Sequence, residues 1–357
     1  MSKKRVAVLF GGYSVEHEIS MLSAANIIAS LSNEKYVVMP VYITRDGRWL
    51  LYDGSIENIK NIQWEKFGTP VVLSPDRAHH GLLRIVGDKV KNIPVDIVFP
   101  VLHGKNGEDG TVQGLCEMAG LPYVGCGVLA SSVSMDKAYT NLIAKAIGIR
   151  QADYLVFPKS KLETDMADIC KTIRYKLGYP CFIKPANAGS SLGISKAANK
   201  KELEAGLLAA AEIDSKIIVE KAIIGRELEC AVLGNDDPKA SAVGEVLSAA
   251  DFYDYDAKYN STESRTVVPA DIPDEIAKDI RQKAVEIFKA VDGAGMARVD
   301  FFLEEETNTV YFNEINTIPG FTAISLYPAL WQEEDLSCPE LVDSLIELGF
   351  TNADNKA

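Results

Sequence analysis

The sequence predicts an α/β protein, α+β in its later part, in which a doubly wound parallel domain is followed by antiparallel sheet. The first observation is that apolar strands, KRVAVLFGG and YVVMPVYIT, alternate with the helical pattern EHEISMLSAANIIASL. The second is that later strands, such as ARVDFFLEE and TVYFNEIN, occur as neighbouring pairs with short connections. The pattern changes near residue 130 and again near residue 220, so we expect three domains, at 1–125, 126–220 and 221–357.

The composition predicts a cytoplasmic protein that binds neither nucleic acid nor membranes. The 357 residues are 47% hydrophobic and carry a formal net charge of −13. An acidic chain without a long run of Lys and Arg repels nucleic acid. The apolar run from Val6 to Phe10 is shorter than the roughly 7–15 residues of a secretory signal, and no stretch approaches the roughly 20 apolar residues that span a bilayer. The six cysteines are scattered without zinc-binding spacing, which predicts reduced thiols.

The segment KPANAGSSLGI, residues 184–194, is a candidate phosphate-binding loop between two strands. Its small residues would let backbone N–H groups approach an anion, and Lys184 on the preceding strand could reach a phosphate. The spacing differs from the P-loop pattern and is closer in logic to the glycine-rich loop of kinases, which also lies between strands. The loop alone leaves an ordinary hairpin turn open as the alternative.

Two strands in the last third of the chain predict a cation site. In ARVDFF, Arg298 and Asp300 share one face, because alternate residues of a strand point the same way. In VYFNEIN, Glu314 and Asn316 share a face for the same reason. A register that sets Asp300 opposite this second pair assembles two carboxylates and an amide oxygen, ligands that suit Mg²⁺. A slip of one residue would leave only a polar end of a sheet.

The glycine-rich stretch HGKNGEDGTVQG, residues 103–114, follows a buried strand. Ligands of α/β folds bind at the carboxyl ends of parallel strands, so His103 and the two acids of this stretch are candidate site residues. The alternative is a helix N-terminus at which Glu108 and Asp109 complement the helix dipole.

Taken together, these motifs resemble the D-alanine–D-alanine ligases of the ATP-grasp superfamily. The motif order of that family is kept, from about Val6 to Leu348, by GGYSVEHEIS, HGKNGEDGTVQG, SMDK, KPANAGSSLG, ARVDFF, NEINTIPGFT and ISLYP. The resemblance implies a Rossmann-like N-terminal domain followed by a two-subdomain ATP-grasp fold. It also implies an enzyme of peptidoglycan precursor synthesis that joins two D-alanines with ATP through a D-alanyl phosphate, releasing ADP and phosphate.

The resemblance further implies which residues bind ATP and metal. The positions that would contact phosphates, adenine or ribose are Lys137, Lys184, Ser190, Ser191, Glu220, Lys221, Ile223, Glu227 and Lys258. Asp300, Glu314 and Asn316 would hold two Mg²⁺ ions, for which Mn²⁺ can substitute. The polar segment 248–269 would form a lid that excludes water from the acyl phosphate.

The same resemblance implies where the two D-alanines bind. Glu16 would hold the ammonium group of the first D-alanine. Tyr259 would form a hydrogen bond with Ser190 and, through Ser190, be linked to Glu16. Arg298 and the backbone N–H of Gly320 would stabilise the acyl phosphate and the tetrahedral oxyanion. The second subsite would consist of His103, Ser325 and Leu326.

Three other functions are weighed against this one. Relatives that join D-alanine to D-lactate or D-serine differ in the lid and second subsite, where AKYN and AISLYP, without a basic residue after the serine, favour D-alanine. A non-catalytic nucleotide-binding protein would have lost metal ligands or lysines, and all of these are present. A nucleotide-dependent oxidoreductase is disfavoured because FGGYSVEHE lacks G-x-G-x-x-G. Members of the family are commonly homodimers, so we expect a homodimer.

Overall fold

The computed structural model describes residues 2–52, 54, 68–189, 192–247 and 265–356. These residues form three β-sheets with helices packed against them, which confirms the predicted mixed α/β fold. Four predicted site residues lie outside the described residues, as does most of the predicted lid: Ser190, Ser191, Lys258 and Tyr259. Among the helices of the described ranges, none has the length and apolar character that crossing a bilayer requires.

The first sheet has seven strands in the order β6-β5-β4-β3-β2-β1-β7 and is parallel only around β1. β1 (Lys4–Gly11) pairs in parallel with β2 (Tyr36–Ile43) and with β7 (Ile97–Val101), as the alternation of strands and helices predicted. The other elements of this region are α1 (His17–Ser30), β3 (Trp49–Tyr52), β4 (Gly68–Leu73), β5 (Gly81–Val86), β6 (Lys89–Pro94) and α2 (Thr111–Ala119).

The outer half of this sheet differs from the doubly wound prediction, because β3 to β6 are antiparallel. The sequence of β6, KVKNIP, is almost entirely exposed, so it lacks the continuous apolar run that identifies a buried parallel strand. The two residues between β5 and β6 begin with Gly87 at φ 57°, a left-handed conformation that suits a tight hairpin. That turn was the available signal for this pair of strands.

The second sheet has four strands in the order β10-β9-β11-β8. Its region contains α3 (Val128–Met135), α4 (Lys137–Ala146), β8 (Tyr154–Pro158), α5 (Lys159–Lys176), β9 (Cys181–Pro185), β10 (Ser195–Ala197), α6 (Lys200–Ile213) and β11 (Lys216–Lys221). β9 and β10 are antiparallel and flank the glycine-rich segment, which confirms the predicted strand pair. Apolar side chains of α5 and α6 pack on this sheet and fix its position.

The third sheet has five strands in the order β14-β13-β12-β15-β16, and all neighbouring strands are antiparallel. Its region contains β12 (Gly225–Gly234), β13 (Lys239–Leu247), β14 (Arg265–Val267), α7 (Asp274–Ala290), β15 (Gly295–Glu304), β16 (Val310–Asn316), α8 (Leu326–Glu333) and α9 (Cys338–Lys356). One face of the sheet is covered by α7 through fully buried residues such as Ile280, Ile287 and Phe288. The opposite face is therefore the one on which polar side chains can gather.

The C-terminal helices join the third sheet to the first. Tyr327 of α8 and Leu345 of α9 belong to the same buried cluster as Phe10 of β1 and Ile28 of α1. This packing brings the turn between β16 and α8 against α1 and the residues after β7. The domain boundaries at 125/126 and 220/221 stay predictions; β11 ends at residue 221, and β12 begins the next sheet at residue 225.

Candidate active site

Three neighbouring strands of the third sheet each present two polar residues, two positions apart, on the side opposite α7. We name this set the polar face; it consists of Glu227 and Glu229 on β12, Arg298 and Asp300 on β15, and Glu314 and Asn316 on β16. The intervening residues, such as Leu228, Val299 and Ile315, belong to the apolar cluster under α7. The register places Asp300 directly beside Glu314 on one neighbouring strand and Glu229 on the other. The predicted pairing of β15 with β16, which sets Asp300 opposite Glu314, is therefore confirmed.

Arg298 is the positive centre of the polar face. Its Nε and Nη2 atoms donate to Oδ1 and Oδ2 of Asp300 at 2.8 and 2.7 Å, and Nε lies 2.9 Å from Oε2 of Glu229. All three residues are more than nine-tenths buried. Burial by itself lowers the pKa of Arg298, but the charges of Asp300 and Glu229 outweigh it and hold that pKa well above its usual value. Arg298 is thus a permanent cation with a fixed orientation.

Asp300, Glu314 and Asn316 form a donor set that fits a hard cation. Nδ2 of Asn316 donates to Oδ2 of Asp300 at 3.0 Å, and a half-turn of that amide would present its oxygen instead. The two carboxylates are balanced here by Arg298 and by Nζ of Lys137, which lies 3.1 Å from Oε2 of Glu314. Mg²⁺ commonly binds one or two carboxylates and completes its coordination with water and phosphate oxygens. The donor chemistry therefore suits Mg²⁺.

Two lysines lie at the border between the second and third sheets. Nζ of Lys184, on β9, lies 2.6 Å from Oε2 of Glu220 and 3.4 Å from Oδ1 of Asn313. Nζ of Lys137, at the start of α4, donates to the carbonyl oxygen of Ala188 at 3.0 Å. Burial lowers the pKa of Lys184, but nearby carboxylates, led by Glu220, outweigh burial and raise it. Lys184 is therefore a buried cation next to the glycine-rich segment.

Glu16 lies between the loop that follows β7 and the glycine-rich loop. It precedes α1 and is buried. A Cβ atom at position 104 would lie 2.8 Å from its Oε2 atom, and one at position 189 would lie 2.7 Å from the same atom. Because neither glycine has a Cβ atom, both loops can approach the carboxylate this closely without displacing it. Gly189 is also the last residue described before the predicted Ser190.

The turn that follows β16, residues 317–325, closes this region on the side of the first sheet. Nδ1 of His103 lies 2.9 Å from the carbonyl oxygen of Ile318, and Nε2 lies 3.2 Å from Oγ of Ser23. A carbonyl oxygen only accepts, so Nδ1 carries the proton, and in the neutral imidazole Nε2 then accepts from the serine hydroxyl. A Cβ atom at Gly320 would lie 2.9 Å from Oγ of Ser325, the residue before α8. Three of the predicted substrate-binding positions thus meet at one turn.

Glu108 is a half-buried residue whose carboxyl group joins two backbone segments. Its Oε2 accepts from the N–H of Gly104 at 2.7 Å, and its Oε1 accepts from the N–H of Ile318 at 3.1 Å. Burial and then the negative charge of Glu16 raise its pKa to about 8, against the opposing effect of these N–H groups and of Arg298. Near neutral pH this carboxyl group is therefore mostly protonated. The interpretation of Glu108 as a helix-dipole residue is replaced by this bridging role.

Comparison with known proteins identifies the family. The D-ala D-ala ligase N-terminus model matches residues 5–126, and the D-ala D-ala ligase C-terminus model matches residues 143–347. The chain belongs to the D-ala D-ala ligase family. A D-alanine--D-alanine ligase of Acetivibrio thermocellus is 50% identical, over 97% of this chain and 96% of the relative. One of Ruminiclostridium cellulolyticum is 49% identical, over 98% of this chain and 96% of the relative.

Solved structures of D-ala D-ala ligase relatives share this architecture. The VanG D-Ala:D-Ser ligase of Enterococcus faecalis superposes with a TM-score of 0.89 at 42% identity, covering 98% of this chain and 100% of the other. The D-alanine-D-alanine ligase of Coxiella burnetii gives a TM-score of 0.84 at 35% identity, covering 100% and 96%. These likenesses confirm the Rossmann-like and ATP-grasp arrangement. Ligases of this family depend on ATP, generally need divalent metal ions, and act on D-alanine.

The described candidate residues of this chain form two groups. The first, on the polar face and the adjoining edge of the second sheet, comprises Lys137, Lys184, Glu220, Glu227, Arg298, Asp300, Glu314 and Asn316. The second, where the first and third sheets meet, comprises Glu16, His103, Gly320, Ser325 and Leu326. Lys221 is exposed and Ile223 is half-buried on the connection from β11 to β12, and their contact with adenine stays a prediction.

Some residues of this site were missed by sequence reasoning. Glu229 could have been found, because its spacing of two from Glu227 is the signal that identified Arg298 and Asp300. Ser23 could not, because it lies in a helix and its hydroxyl accepts from the N–H of Phe321, 298 positions further along the chain. Such contacts exist only after the first and third sheets have been brought together.

Proposed function

We propose that this protein is an ATP-dependent ligase that joins two D-alanines into D-alanyl-D-alanine for peptidoglycan precursor synthesis. The observation that carries the proposal is the polar face, on which Arg298 lies between the carboxylates of Asp300 and Glu229, with Glu314 beside them. An arrangement of carboxylates for metal and cations for phosphate is what phosphoryl transfer from ATP needs. Relatives named D-alanine--D-alanine ligase that align along the whole chain support the same reaction.

In the first half-reaction, ATP phosphorylates the carboxylate of the first D-alanine, because a free carboxylate is a poor electrophile. Lys137 and Lys184 would bind phosphate oxygens, and the N–H groups of Arg298 beyond those bonded to Asp300 and Glu229 would hold the charge of the transferring group. The metal ligands would be Asp300, Glu314 and Asn316, with two Mg²⁺ or Mn²⁺ ions proposed. When bound, the metal neutralises phosphate charge and aligns the transferring phosphoryl group.

In the second half-reaction, the amine of the second D-alanine attacks the acyl carbon. A C–N bond forms, the amine loses a proton, and the C–O bond to phosphate breaks. The oxygen of the tetrahedral intermediate would accept from Arg298 and from the N–H of Gly320. Glu16 would bind the first ammonium group, and His103, with Ser325 and Leu326, would line the second subsite. Ser190, Ser191, Lys258 and Tyr259 keep the roles that the resemblance implies.

One observation favours a second candidate, a ligase that uses D-serine as the acceptor. The VanG D-Ala:D-Ser ligase is 42% identical to this chain, with a TM-score of 0.89. Against it, the relatives that are 46–50% identical are named D-alanine--D-alanine ligases. The sequences AKYN and AISLYP also favour D-alanine, and D-lactate is the third acceptor to compare.

Steady-state assays of the purified protein test this proposal. Phosphate release is expected to require ATP, Mg²⁺ and D-alanine together, with D-alanyl-D-alanine as the product. With all three acceptors present at neutral pH, the D-alanine dipeptide should dominate. Phosphate release that is unchanged without D-alanine would refute the proposed ligase activity. Faster formation of the D-lactate ester or of the D-serine dipeptide would show that D-lactate or D-serine, and not D-alanine, is the preferred acceptor. The homodimer and the cytoplasmic location stay predictions. Analytical ultracentrifugation of the whole chain would measure its oligomeric state.

A further inference from the structure

The segment 318–321 carries the proposed oxyanion donor, and its two ends are held by side chains from the first 110 residues of the chain. At Ile318, the N–H donates to Oε1 of Glu108 at 3.1 Å, and the carbonyl oxygen accepts from Nδ1 of His103 at 2.9 Å. Both polar groups of this peptide backbone are therefore satisfied by side chains of the loop that follows β7.

At the other end, Phe321 is held by α1 in the same way. Its N–H donates to Oγ of Ser23 at 3.1 Å, and its carbonyl oxygen accepts from Nδ2 of Asn26 at 2.9 Å. Ser23 and Asn26 are three positions apart, so they lie on one face of the helix. The side chain of Ser23 is fully buried, which makes a loss of its hydrogen bonds costly.

The two ends are also joined to each other. The hydroxyl of Ser23 accepts from the N–H of Phe321 and donates to Nε2 of His103 at 3.2 Å, while Nδ1 of His103 donates to Ile318. The bonds thus run in a closed ring from residue 318, through two side chains, to residue 321. A ring of this kind fixes the distance and direction between the two ends.

Within this ring, the N–H of Gly320 is the remaining backbone donor. Pro319 has no N–H, and the N–H groups of Ile318 and Phe321 are already bonded. The N–H of Gly320 forms no hydrogen bond with another residue of the described part of the chain. The anchors therefore satisfy its neighbours and leave this one group available to a ligand.

We propose that Ser23, Asn26 and Glu108 are positioning residues that fix the N–H of Gly320 toward the tetrahedral oxyanion. They act through the backbone of residues 318–321. The inference rests on the proposed function, because the oxyanion exists only if the ligation reaction takes place. Donors that are oriented before the reaction stabilise a developing charge without reorganisation, so a small displacement of the donor lowers the rate of the chemical step.

The test compares two buried serines of α1. Ser23→Ala removes the acceptor of the Phe321 N–H, whereas Ser20→Ala removes a hydroxyl that accepts from Gly11 at 2.8 Å and donates to Val101, away from the turn. Both substitutions should lower the melting temperature. Only Ser23→Ala should lower kcat, by about tenfold, with the KM for ATP unchanged, because one displaced oxyanion donor affects the transition state alone. Equal losses of kcat in the two variants would overturn the inference.

Asn26→Asp keeps the test decisive if Ser23→Ala does not fold. The substitution is isosteric at a half-buried site, and it sets an oxygen against the carbonyl of Phe321 in place of a donor. We expect kcat to fall by about tenfold and inhibition by a phosphinate dipeptide, a tetrahedral analogue, to weaken by a similar factor. Wild-type kcat in Asn26→Asp would refute the inference. A wild-type protein that makes no dipeptide would instead refute the proposed function.

Discussion

The polar face and the turn at 317–325 are built in opposite ways. The polar face is assembled from residues 227–316, by side-chain alternation on three adjacent strands, and its one guanidinium group is paired with two of its own carboxylates, Asp300 and Glu229. The turn is held by Ser23, Asn26, His103 and Glu108, which precede it by 210 to 298 positions. The charges of the polar face are therefore a local property of one sheet, whereas the direction of the Gly320 N–H depends on contacts between sheets.

The two regions should therefore respond differently to substitution. A change on the polar face alters charge and hydrogen-bond donors at the position of the phosphates, and it should act on the chemical step and on metal binding. A change around the turn alters geometry alone, and it should act more weakly. The four predictions that follow test this difference in order of expected size.

The largest effect is expected for Arg298→Lys. Lysine keeps the positive charge but loses the planar fork that bonds both oxygens of Asp300. We expect kcat to fall by about 10²–10³-fold, as for removal of one oxyanion donor. The matched control is Arg226→Lys, since Arg226 forms the same two-bond fork with Glu245 on neighbouring strands. A similar kcat for both variants would contradict the assignment of Arg298.

A smaller effect is expected for Glu314→Gln, which removes one of two carboxylates proposed for the metal. The Mg²⁺ concentration that gives half-maximal activity should rise by about tenfold, equivalent to about 1.4 kcal/mol of binding free energy. Activity should recover in excess Mg²⁺. Glu306→Gln, at an exposed position in the β15–β16 connection, is the control and should leave this concentration unchanged. An unaltered Mg²⁺ requirement in Glu314→Gln would argue against a metal at this carboxylate.

Gly189→Ala tests the close approach of the glycine-rich loop to Glu16. A Cβ atom at this position would lie 2.7 Å from Oε2 of Glu16, so the carboxylate must move. We expect the KM for D-alanine to rise by about three- to tenfold, which corresponds to a loss of roughly 1 kcal/mol of binding free energy. The melting temperature should change little. Gly114→Ala is the control, because the nearest atom there would be 4.0 Å away. An unchanged KM would mean that Glu16 does not hold the ammonium group.

The smallest effect on the chemical step is expected at Glu108, whose titration instead makes the stability depend on pH. Its pKa is about 8 in the folded protein, where burial and Glu16 raise it and Arg298 opposes them, against 4.5 as its ordinary value. Between these pH values the folded protein keeps a proton that the unfolded chain has lost. The stabilisation from this proton is therefore complete below about pH 4.5 and is lost as the pH rises through about 8.

Glu108→Gln removes this titration and tests the sign. The melting temperature of the wild type should exceed that of the variant most near pH 5, and this difference in melting temperature should shrink toward pH 8.5. Differential scanning calorimetry across this range measures the difference. Glu117→Gln is the control, because the carboxylate of Glu117 bonds the hydroxyl of Tyr123, away from the turn. A difference that does not vary with pH would show that Glu108 is ionised throughout.

Most of the fold and much of the site could be predicted from the sequence. The pairing of Asp300 with Glu314 follows from the alternation in two strands. The antiparallel strands β5 and β6 were missed because β6 is almost entirely exposed and β5 is exposed at its end, so neither has the continuous apolar run of a buried strand. The partners of the turn were missed because a serine or an asparagine within a helix gives no local sign of a contact hundreds of residues away.

By itself, the sequence determined the element types, the polar pairs of the third sheet and, by resemblance, the family. These follow from short-range rules, since the period of a strand or helix fixes which side chains share a face. The tertiary structure alone decided that Arg298 is enclosed by two acids, that the pKa of Glu108 is raised by desolvation and by the charge of Glu16, and that Gly320 is held from both ends. Those properties depend on burial and on distances between sheets, which exist only once the chain has packed.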